Sequence, residues 1–474
     1  MVSDTLTTRQ SAGANGHEPA SPDAAGALSQ TARDHVWIHQ LAWDEFTGER
    51  LRIFDRGEGS TLWDIQGRSY IDGISGLWVV NAGHGRAEIA EAYAKQATRL
   101  AYASASSYTT GPAIELAAKL ASISPGDLNR FFFSSGGSEA VETAIKIAKQ
   151  VQAMRGFPRR YKIIARRGSY HGMTHGAMSL TAIRNEAYFG PFMYGVSHVP
   201  GPNRYRNDFG LEGEAGDLMA ARYVEQEIEN QGPETVAAVI GEPVSSAAGV
   251  HVPSPKYWQT LRQICDKHGV FLIADEVING FGRTGTMFAT EQFGFVPDLM
   301  TMAKGLSSGY APIAATAVRE SLFADFQEKK EVALGHLLTF GGHAAAAAAA
   351  VKNIEILEDE NLSAAAAERG AYLMSRLEEL RAHPTVGDVR GIGLLCGIEL
   401  VRNKETKQKF GKEAGFIKRV GELLVDHGIV TRAWDTMHFA PPLVVTTAEL
   451  DRMVAIADES LTTAEREFAI EIDG

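Results

Sequence analysis

Cysteine, long apolar runs and excess positive charge are all scarce in this chain of 474 residues. The two cysteines, Cys265 and Cys396, have neither a disulfide-type nor a metal-type spacing, so we expect buried free thiols in a reducing compartment. No apolar run approaches the ~18 residues that a transmembrane helix needs. The net charge of −12 argues against a nucleic-acid partner and against an anionic membrane surface. Composition therefore favours an ordinary soluble globular protein, long enough for two domains.

Metal-binding motifs and targeting signals are missing as well. The 14 histidines include no H-E-x-x-H motif or comparable cluster, so we predict no metal site. Residues 1–33 are rich in Ala, Gly, Ser and Thr, and they lack the basic start and the apolar core of a signal peptide. We interpret this segment as a flexible N-terminal tail and expect a cytoplasmic protein.

Short apolar segments alternate with helical spacing through the middle of the chain. Segments with the length and composition of buried strands occupy residues 131–133, 161–165, 236–240, 271–274 and 299–302. Strands that alternate with helices in this way form mostly parallel sheets with helices on both faces. The pattern therefore predicts an α/β fold around a mostly parallel central sheet.

The two ends of the chain have a different character. Residues 34–50 show the apolar pattern of a short helix, and the alanine run 344–350 predicts another helix by propensity. We therefore predict a large central domain and a smaller α+β domain built from both chain ends. The predicted ranges are 86–343 for the large domain, and 34–85 together with 344–474 for the small one.

An acid and an amine stand at the ends of two predicted strands. Asp275 closes the apolar segment 271–274, and Lys304 directly follows the apolar segment 299–303. Ligands of open α/β sheets bind beyond the carboxyl ends of the strands, so both side chains are expected at one site. Pyridoxal phosphate requires such a pair, because the lysine forms the Schiff base and the aspartate keeps the pyridinium nitrogen protonated.

Two other interpretations of this stretch are less consistent with its residues. An isolated lysine is most often a solvated surface charge, but Lys304 lies between an apolar segment and a Gly-Ser turn. The segment 280–285, GFGRTG, matches the dinucleotide fingerprint, which requires a helix directly after the loop and an acid about 20 residues further on. Here the loop continues into Thr286, Met287 and Phe288, and the next strand-like segment ends in a lysine. We therefore reject a nucleotide site.

A glycine-containing turn precedes a predicted helix in residues 131–150, FFFSSGGSEAVETAIKIAKQ. The free backbone N–H groups at the start of a helix attract anions. After Ser135, Gly136 and Gly137 allow a close approach of the backbone, and the hydroxyl of Ser138 can donate a hydrogen bond. Alone, this turn is typical of any capped helix start. Beside the acid and the amine, it predicts the site of the cofactor phosphate.

These motifs resemble those of the class III, or ω-, aminotransferases of fold type I. The resemblance is carried by D-E-V-x-x-G-F-G-R-T-G, which begins at Asp275, by A-K-G-L-S-S-G-Y, which contains Lys304, and by a turn similar to S-G-S-E-A. It covers roughly residues 35–465 and implies pyridoxal 5′-phosphate as cofactor, with Lys304 also serving as general base and acid. One departure is Gly136, where many members have serine, so that a hydroxyl contact is lost.

The resemblance also implies roles for residues around the cofactor. Tyr170, in a Y-H-G motif, would stack on one face of the ring, and Glu242, in VIGEPV, would support the site near the ring hydroxyl. Val277 stands two residues beyond Asp275, so that on a strand it would point the same way and form the wall on the other face. Thr339, in LLTFGGH, would reach the phosphate of the neighbouring subunit, which implies a homodimer, or a tetramer built from it.

Substrate recognition is predicted from the same resemblance. Arg432, in the frame R-A-x-x-x-x-x-x-A-P-P-L, is similar to the family's mobile arginine, whose planar fork binds carboxylates bidentately. Trp78, in GLWVV, matches a tryptophan of the substrate pocket. Two departures concern specificity: Ser106 and Ser107 replace a Phe pair of many amine-active members, and Trp434 occupies a position where smaller residues are common. No particular amine preference is therefore transferred.

The predicted activity is that of an ω-transaminase, a transferase that moves an amino group from an amine or amino acid to a keto acid such as pyruvate. A taurine, β-alanine, diamine or long-chain amine transaminase would keep the chemistry and change the donor. A decarboxylase or aminomutase would need neither the mobile arginine nor a second substrate. Strict dependence on a keto acid therefore separates these alternatives.

Overall fold

The computed structural model describes residues 19–43, 51–182, 188–411 and 414–469. Its strands, in chain order, are β1 Phe54–Glu58, β2 Thr61–Asp64, β3 Ser69–Asp72, β4 Leu128–Ser134, β5 Lys162–Arg166, β6 Val196–Val199, β7 Val236–Gly241, β8 Phe271–Asp275, β9 Leu299–Met302, β10 Ala314–Arg319, β11 Val386–Gly391, β12 Cys396–Leu400, β13 Ile429–Val430 and β14 Thr436–Phe439. Its α-helices are α1 Pro22–His35, α2 Ser75–Trp78, α3 Ala87–Arg99, α4 Gly111–Ile123, α5 Gly137–Met154, α6 His175–Leu180, α7 Gly213–Gln231, α8 Pro255–His268, α9 Ala289–Phe293, α10 Glu320–Glu328, α11 Ala344–Asp359, α12 Leu362–Glu378, α13 Phe416–Asp426 and α14 Thr447–Glu467.

The central sheet has seven strands in the order β4–β10–β9–β8–β7–β5–β6. Strands β6, β5, β7, β8 and β9 run parallel, whereas β10 is antiparallel to both of its neighbours. The five predicted segments correspond to β4, β5, β7, β8 and β9, which confirms the mostly parallel sheet. Strands β6 and β10 are not predicted from the sequence, because β6 contains a serine and a histidine and β10 is rich in alanine, a weak strand former.

Both faces of this sheet are covered by apolar packing. Successive residues of a strand point to opposite faces of the sheet and so pack into different apolar clusters. In β7, Val239 belongs to the cluster on one face and Ile240 to the cluster on the other, and in β8 the same holds for Leu272 and Ile273. Strands β7 and β8 are consequently buried along their whole length. Because β5, β7, β8 and β9 are parallel, the segments that follow them meet at one edge of the sheet.

The two ends of the chain meet in a second sheet. Its order is β1–β2–β3–β13, and β13 pairs in parallel with β3, so that Ile429 lies opposite Ile71. A third sheet, β11–β12–β14, is entirely antiparallel. The predicted domain boundaries stay a prediction, and this pairing of early and late strands supports a small domain that is built from both ends.

The N-terminal region differs from its interpretation as a tail. Helix α1, Pro22–His35, lies largely within the predicted tail of residues 1–33, and the Oγ of Ser21 accepts a hydrogen bond from the N–H of Ala24 at its start. A serine cap followed by proline is a helix-start signal that outweighs the low-complexity composition. Residues 36–42 are not helical, although a helix is expected there. The rest of that expected helix, residues 44–50, and residues 1–18 of the tail lie outside the described residues.

Two expectations from composition can be compared with the structure. Cys265 and Cys396 are buried free thiols, as predicted, and burial raises the pKa of each to about 12. Within the described ranges, no helix combines the length and the apolar character that crossing a membrane would demand.

Candidate active site

A cavity of about 260 Å³ lies where the strands β5, β7, β8 and β9 end. Segments that follow these strands form much of its wall, together with the first turn of α5, the end of α2 and the segment after β13. Ligands of open α/β sheets bind at this position. Of the residues singled out from the sequence, the following line the cavity: Trp78, Gly137, Ser138, Tyr170, Glu242, Asp275, Val277, Lys304, Arg432 and Trp434.

Lys304 follows β9 and adopts a φ of 47°, a left-handed conformation that lysine seldom takes. Its Nζ lies 5.4 Å from the ring centroid of Trp78. Burial lowers the pKa of Lys304 to about 8; the charge of Asp275 opposes this shift, and that of Arg432 adds to it. An amine with this pKa is partly neutral, and therefore nucleophilic, at mildly alkaline pH.

Asp275 is the last residue of β8, and its carboxylate is held from three directions. Oδ1 accepts hydrogen bonds from the Oγ1 of Thr301 at 3.1 Å and from the N–H of Val277 at 3.1 Å. Oδ2 lies 2.7 Å from the Nδ1 of His171, which is buried. The carboxylate is therefore fixed in orientation at the end of the strand next to β9.

Val277 lines the cavity for a different reason from the one expected. Strand β8 ends at Asp275, so the alternation of side chains along a strand does not extend to Val277. Its side chain instead packs against the start of α5, where a Cβ added to Gly137 would lie 2.8 Å from Cγ1 of Val277. Glycine at position 137 therefore allows the turn and the valine to approach each other.

The start of α5 has no side-chain cap, so its first backbone N–H groups are available to a ligand. Ser138 accepts a hydrogen bond at Oγ from the N–H of Met173 at 3.0 Å and keeps its own proton for a further acceptor. Gly172 has a φ of 125°, and a Cβ there would overlap with Ser138. In contrast, Ser135 donates its N–H to the carboxylate of Glu139, and neither Ser135 nor Gly136 lines the cavity.

Glu242 follows β7 and is buried beside Arg166. The N–H of Tyr170 lies 3.4 Å from Oε1 of Glu242, and Nη2 of Arg166 lies 3.6 Å from Oε2. Burial raises the pKa of Glu242 to about 7, although the charges of His171 and Arg166 oppose the shift. A carboxyl group with this pKa can donate as well as accept a hydrogen bond near neutral pH.

Aromatic side chains surround the cation at the other side of the cavity. The guanidinium of Arg432 lies 4.7 Å from the ring centroid of Trp434 and 5.6 Å from that of Trp78. Trp78 is buried and has a φ of 56°. An arginine with apolar walls on two sides is a suitable partner for a carboxylate, because little water competes for its N–H groups.

Besides Ser135 and Gly136, three further residues singled out from the sequence do not line the cavity of their own chain. Thr339 is exposed, and its carbonyl oxygen accepts a hydrogen bond from the hydroxyl of Tyr102 at 2.9 Å. Ser106 and Ser107 lie in an exposed turn, where the hydroxyls of Ser104 and Ser106 are 2.8 Å apart. Within the single chain, these residues therefore do not contribute to this cavity.

Sequence reasoning missed several residues of this site. His171 stands next to Tyr170 in the same motif, so its polar ring after a strand was a usable signal. None of the motifs assigns a role to the other missed residues. Four of them are apolar, namely Leu77, Met173, Ala247 and Ile278, and two are polar, namely Gln40 and Thr181, whose Oγ1 accepts a hydrogen bond from the N–H of His171 at 2.9 Å.

This set of groups fits pyridoxal phosphate. Lys304 can bind an aldehyde, Asp275 can face a pyridinium nitrogen, and the uncapped start of α5 can bind a phosphate. Two buried atoms of residues that line this cavity, Nε2 of His171 and Oε2 of Glu242, have no hydrogen-bond partner among the described residues. A mostly parallel α/β fold with this lysine–aspartate pair defines a pyridoxal-phosphate enzyme of fold type I.

Comparisons with known proteins define the family. Residues 46–461 match the family described as Aminotransferase class-III. A probable aminotransferase of Mycobacterium tuberculosis is 42% identical, over 94% of this chain and 97% of the relative. The taurine–pyruvate aminotransferase of Bilophila wadsworthia is 38% identical, over 92% of this chain and 97% of that protein. The crystal structure of a thermostable (S)-enantioselective ω-transaminase from Thermomicrobium roseum superimposes with a TM-score of 0.90 at 40% identity, over 93% of this chain and 99% of that one. The chain belongs to the class III aminotransferases, which depend on pyridoxal phosphate.

Proposed function

We propose that this enzyme is an ω-transaminase that moves an amino group from an amine or amino-acid donor to a keto acid such as pyruvate. The observation that carries the proposal is that Lys304, Asp275 and Arg432 line one cavity. The first two are the groups that the cofactor needs, and the third can bind the carboxylate of a keto acid. The similarity to a taurine–pyruvate aminotransferase supports pyruvate as the acceptor.

Lys304 and Asp275 divide the proton chemistry between them. When bound, pyridoxal phosphate supplies an electron sink for the carbon that loses its proton. Asp275 holds a proton at the pyridine nitrogen, and its contacts with Thr301 and His171 keep the carboxylate aimed at that position. Lys304 would take the proton from the donor carbon at Nζ and deliver it to the C4′ carbon of the cofactor, because a pKa of about 8 allows the amine to act first as base and then as acid.

The remaining residues would hold the cofactor. Gly137 and Ser138 would bind the phosphate through backbone N–H groups and a hydroxyl, and Ser135 and Gly136 shape the turn that presents them. Tyr170 would pack on one face of the ring. The following residues would complete the cradle: Val277 on the other face, Glu242 near the ring hydroxyl, and Thr339 from a second subunit.

A homodimer is part of this proposal. Thr339 is exposed in the single chain, and it lies beside a patch of exposed apolar side chains, here called the Phe340 patch: Tyr102, Leu337 and Phe340. The rings of Tyr102 and Phe340 are in contact at 6.4 Å between centroids. Side chains of this size are costly to leave in water, so the patch supports a contact with a second copy that carries Thr339 to the neighbouring site.

Two further expectations stay proposals. The large and small domains are proposed with the predicted boundaries, 86–343 for the large one and 34–85 with 344–474 for the small one. A cytoplasmic location is supported by the two buried free thiols, which are stable in a reducing compartment.

The test is the visible spectrum of the purified holoenzyme while amine donors are added singly, without any acceptor. We expect a productive donor to convert the absorption of the lysine-bound cofactor to that of pyridoxamine phosphate, and pyruvate to restore it. The Lys304→Ala variant should show neither the starting absorption nor turnover. A band that no donor converts would contradict transamination and favour a decarboxylase or an aminomutase.

A further inference from the structure

Arg432 lies between two indole rings at the substrate side of the cavity. Its guanidinium carbon is 5.6 Å from the ring centroid of Trp78 and 4.7 Å from that of Trp434. Both distances fall within the range in which a cation is attracted to the face of an aromatic ring. Tryptophan provides the strongest such attraction, so the two rings stabilise the guanidinium inside the cavity.

A single histidine packs against both indole rings. The imidazole of His438 contacts Trp78 edge-on, at 5.4 Å between centroids and 84° between planes, and Trp434 at 6.2 Å and 81°. His438 lies in β14, its N–H donates to the carbonyl of Arg432 at 3.0 Å, and its Nε2 lies 3.3 Å from the carbonyl of Ser246. The histidine therefore fixes the positions of both rings relative to the backbone of the arginine.

The imidazole must be neutral to serve in this place. Burial lowers the pKa of His438 to about 4, and the charges of Arg390 and Arg432 lower it further, while hydrogen bonds with the backbone of Ser246 and Arg432 oppose the shift. A neutral ring does not repel the guanidinium. The group formed by Arg432, Trp78, Trp434 and His438 therefore carries one net positive charge, which belongs to Arg432.

An arginine that leaves the cavity gives up both ring contacts. One cation–π contact that is partly shielded from water shifts an equilibrium by about three- to thirtyfold. Trp434 occupies a position where smaller residues are common in the family that the sequence resembles. A smaller side chain there would lack the ring contact that Trp434 makes with Arg432.

We propose that Trp78 and Trp434, braced by His438, form an aromatic clamp that holds Arg432 inside the cavity and makes the enzyme selective for amino donors that carry an acid group. A carboxylate or sulfonate of the donor pairs with the fixed guanidinium. A donor without an acid group forms no such pair, and a donor that needs the space of the guanidinium requires Arg432 to leave the clamp and give up both ring contacts, which costs free energy. The inference rests on the proposed transaminase function and specifies its donor class.

The first test compares two donors that differ only in the acid group, β-alanine and propylamine, with pyruvate as acceptor. Wild-type enzyme should prefer β-alanine in kcat/KM. Trp434→Leu keeps an apolar side chain but removes the ring face, and it should reduce this preference by about three- to tenfold. The change should appear mainly in KM, because Trp434 acts on substrate binding. Trp434→Phe keeps a ring face and should stay within about twofold of wild type.

A purely steric role predicts a different pattern for this pair. Leucine and phenylalanine are both smaller than tryptophan and differ less from each other than from it, so loss of volume alone predicts shifts of similar size. Shifts of similar size, or no shift in either variant, would overturn the clamp. Trp434→Met offers a second non-aromatic side chain of similar reach if the leucine variant does not retain its cofactor.

A second measurement needs no turnover. Propionate has the acid group but no amino group, and its binding to the holoenzyme can be followed by calorimetry. Trp434→Leu should weaken this binding by about three- to tenfold, whereas the same change in an Arg432→Ala background should have no further effect. Equal weakening in both backgrounds would show that the ring acts independently of the arginine and would exclude the clamp.

These measurements separate the two proposals. If wild-type enzyme transfers no amino group from any donor, the transaminase proposal fails, while propionate binding still reports on the clamp. If transfer proceeds but the donor preference and the propionate affinity are the same in Trp434→Leu, the function stands and the clamp is wrong.

Discussion

The amine of Lys304 shows how this cavity sets the chemistry of a single side chain. Burial lowers its pKa, and two charged neighbours act in opposite directions: Asp275 raises the pKa and Arg432 lowers it. The neutral amine is the form that attacks an aldehyde. Reaction with the cofactor should therefore depend on pH around the pKa of about 8.

We predict that the rate at which cofactor-free protein binds pyridoxal phosphate rises with pH, with a midpoint near the pKa of about 8. Arg432→Ala removes a positive charge that disfavours the ammonium form, so the pKa of Lys304 should rise and the midpoint should move to higher pH. The measurement is the growth of the visible absorption after mixing, at a series of pH values.

Arg432→Lys is the matched control for this prediction, because it keeps a positive charge at the same position. Its midpoint should stay near that of wild type. An unchanged midpoint in Arg432→Ala would mean that the guanidinium does not influence the amine.

At the scale of secondary-structure elements, the site depends on glycines where loops approach one another. The loop after β5 crosses the first turn of α5 so closely that Ser138 accepts a hydrogen bond from Met173. Gly172 lies in this crossing with a φ of 125°. A side chain there would both strain the backbone and collide with Ser138.

We therefore predict that Gly172→Ala weakens the retention of pyridoxal phosphate by about tenfold or more, since it displaces Ser138 from the proposed phosphate site. The dissociation constant can be measured by titration of the cofactor-free variant. Gly111→Ala is the control: Gly111 stands at the start of α4, where an added Cβ meets nothing within 4 Å. Equal affinities in the two variants would contradict the assigned phosphate site.

The alanine run is a second example at this scale. All but one of residues 344–350 are buried, and helix α11 packs closely against α3 and α4. Small side chains permit such close contacts between helices. The composition that resembles low complexity is therefore a consequence of packing.

At the scale of the whole molecule, one chain does not complete the proposed site. Thr339 is exposed and lies outside the cavity of its own chain, next to the Phe340 patch. In the single chain, Phe340 exposes 60% of its surface. A second copy packed on this patch would bury these rings and carry the threonine to the neighbouring cavity.

We predict that Phe340→Asp converts the proposed dimer to a monomer and lowers the affinity for pyridoxal phosphate, because a charge on an apolar interface is costly and Thr339 would no longer reach the other site. Light scattering reports the mass, and cofactor titration reports the affinity. Phe157→Asp, at another exposed ring, should change neither. A Phe340→Asp protein that remains dimeric would exclude this face as the interface.

Chain order and local pattern were sufficient for the strand that ends in Asp275 and for the strand that precedes Lys304, because apolar period and strand length are local properties and parallel strands end at a common edge. The same logic located the turn before α5. It failed at Val277, where the end of β8 replaces strand geometry by a turn, and at α1, where a serine cap and a proline start a helix in an apparently unstructured segment.

Only the tertiary structure decided which distant side chains meet. His171 and Asp275 are far apart in the chain, and so are Arg166 and Glu242, yet each pair is in contact at the cavity. The clamp around Arg432 likewise joins α2 to the segment before β14. Such contacts depend on how loops and helices pack across the edge of the sheet, and no local periodicity encodes those distances.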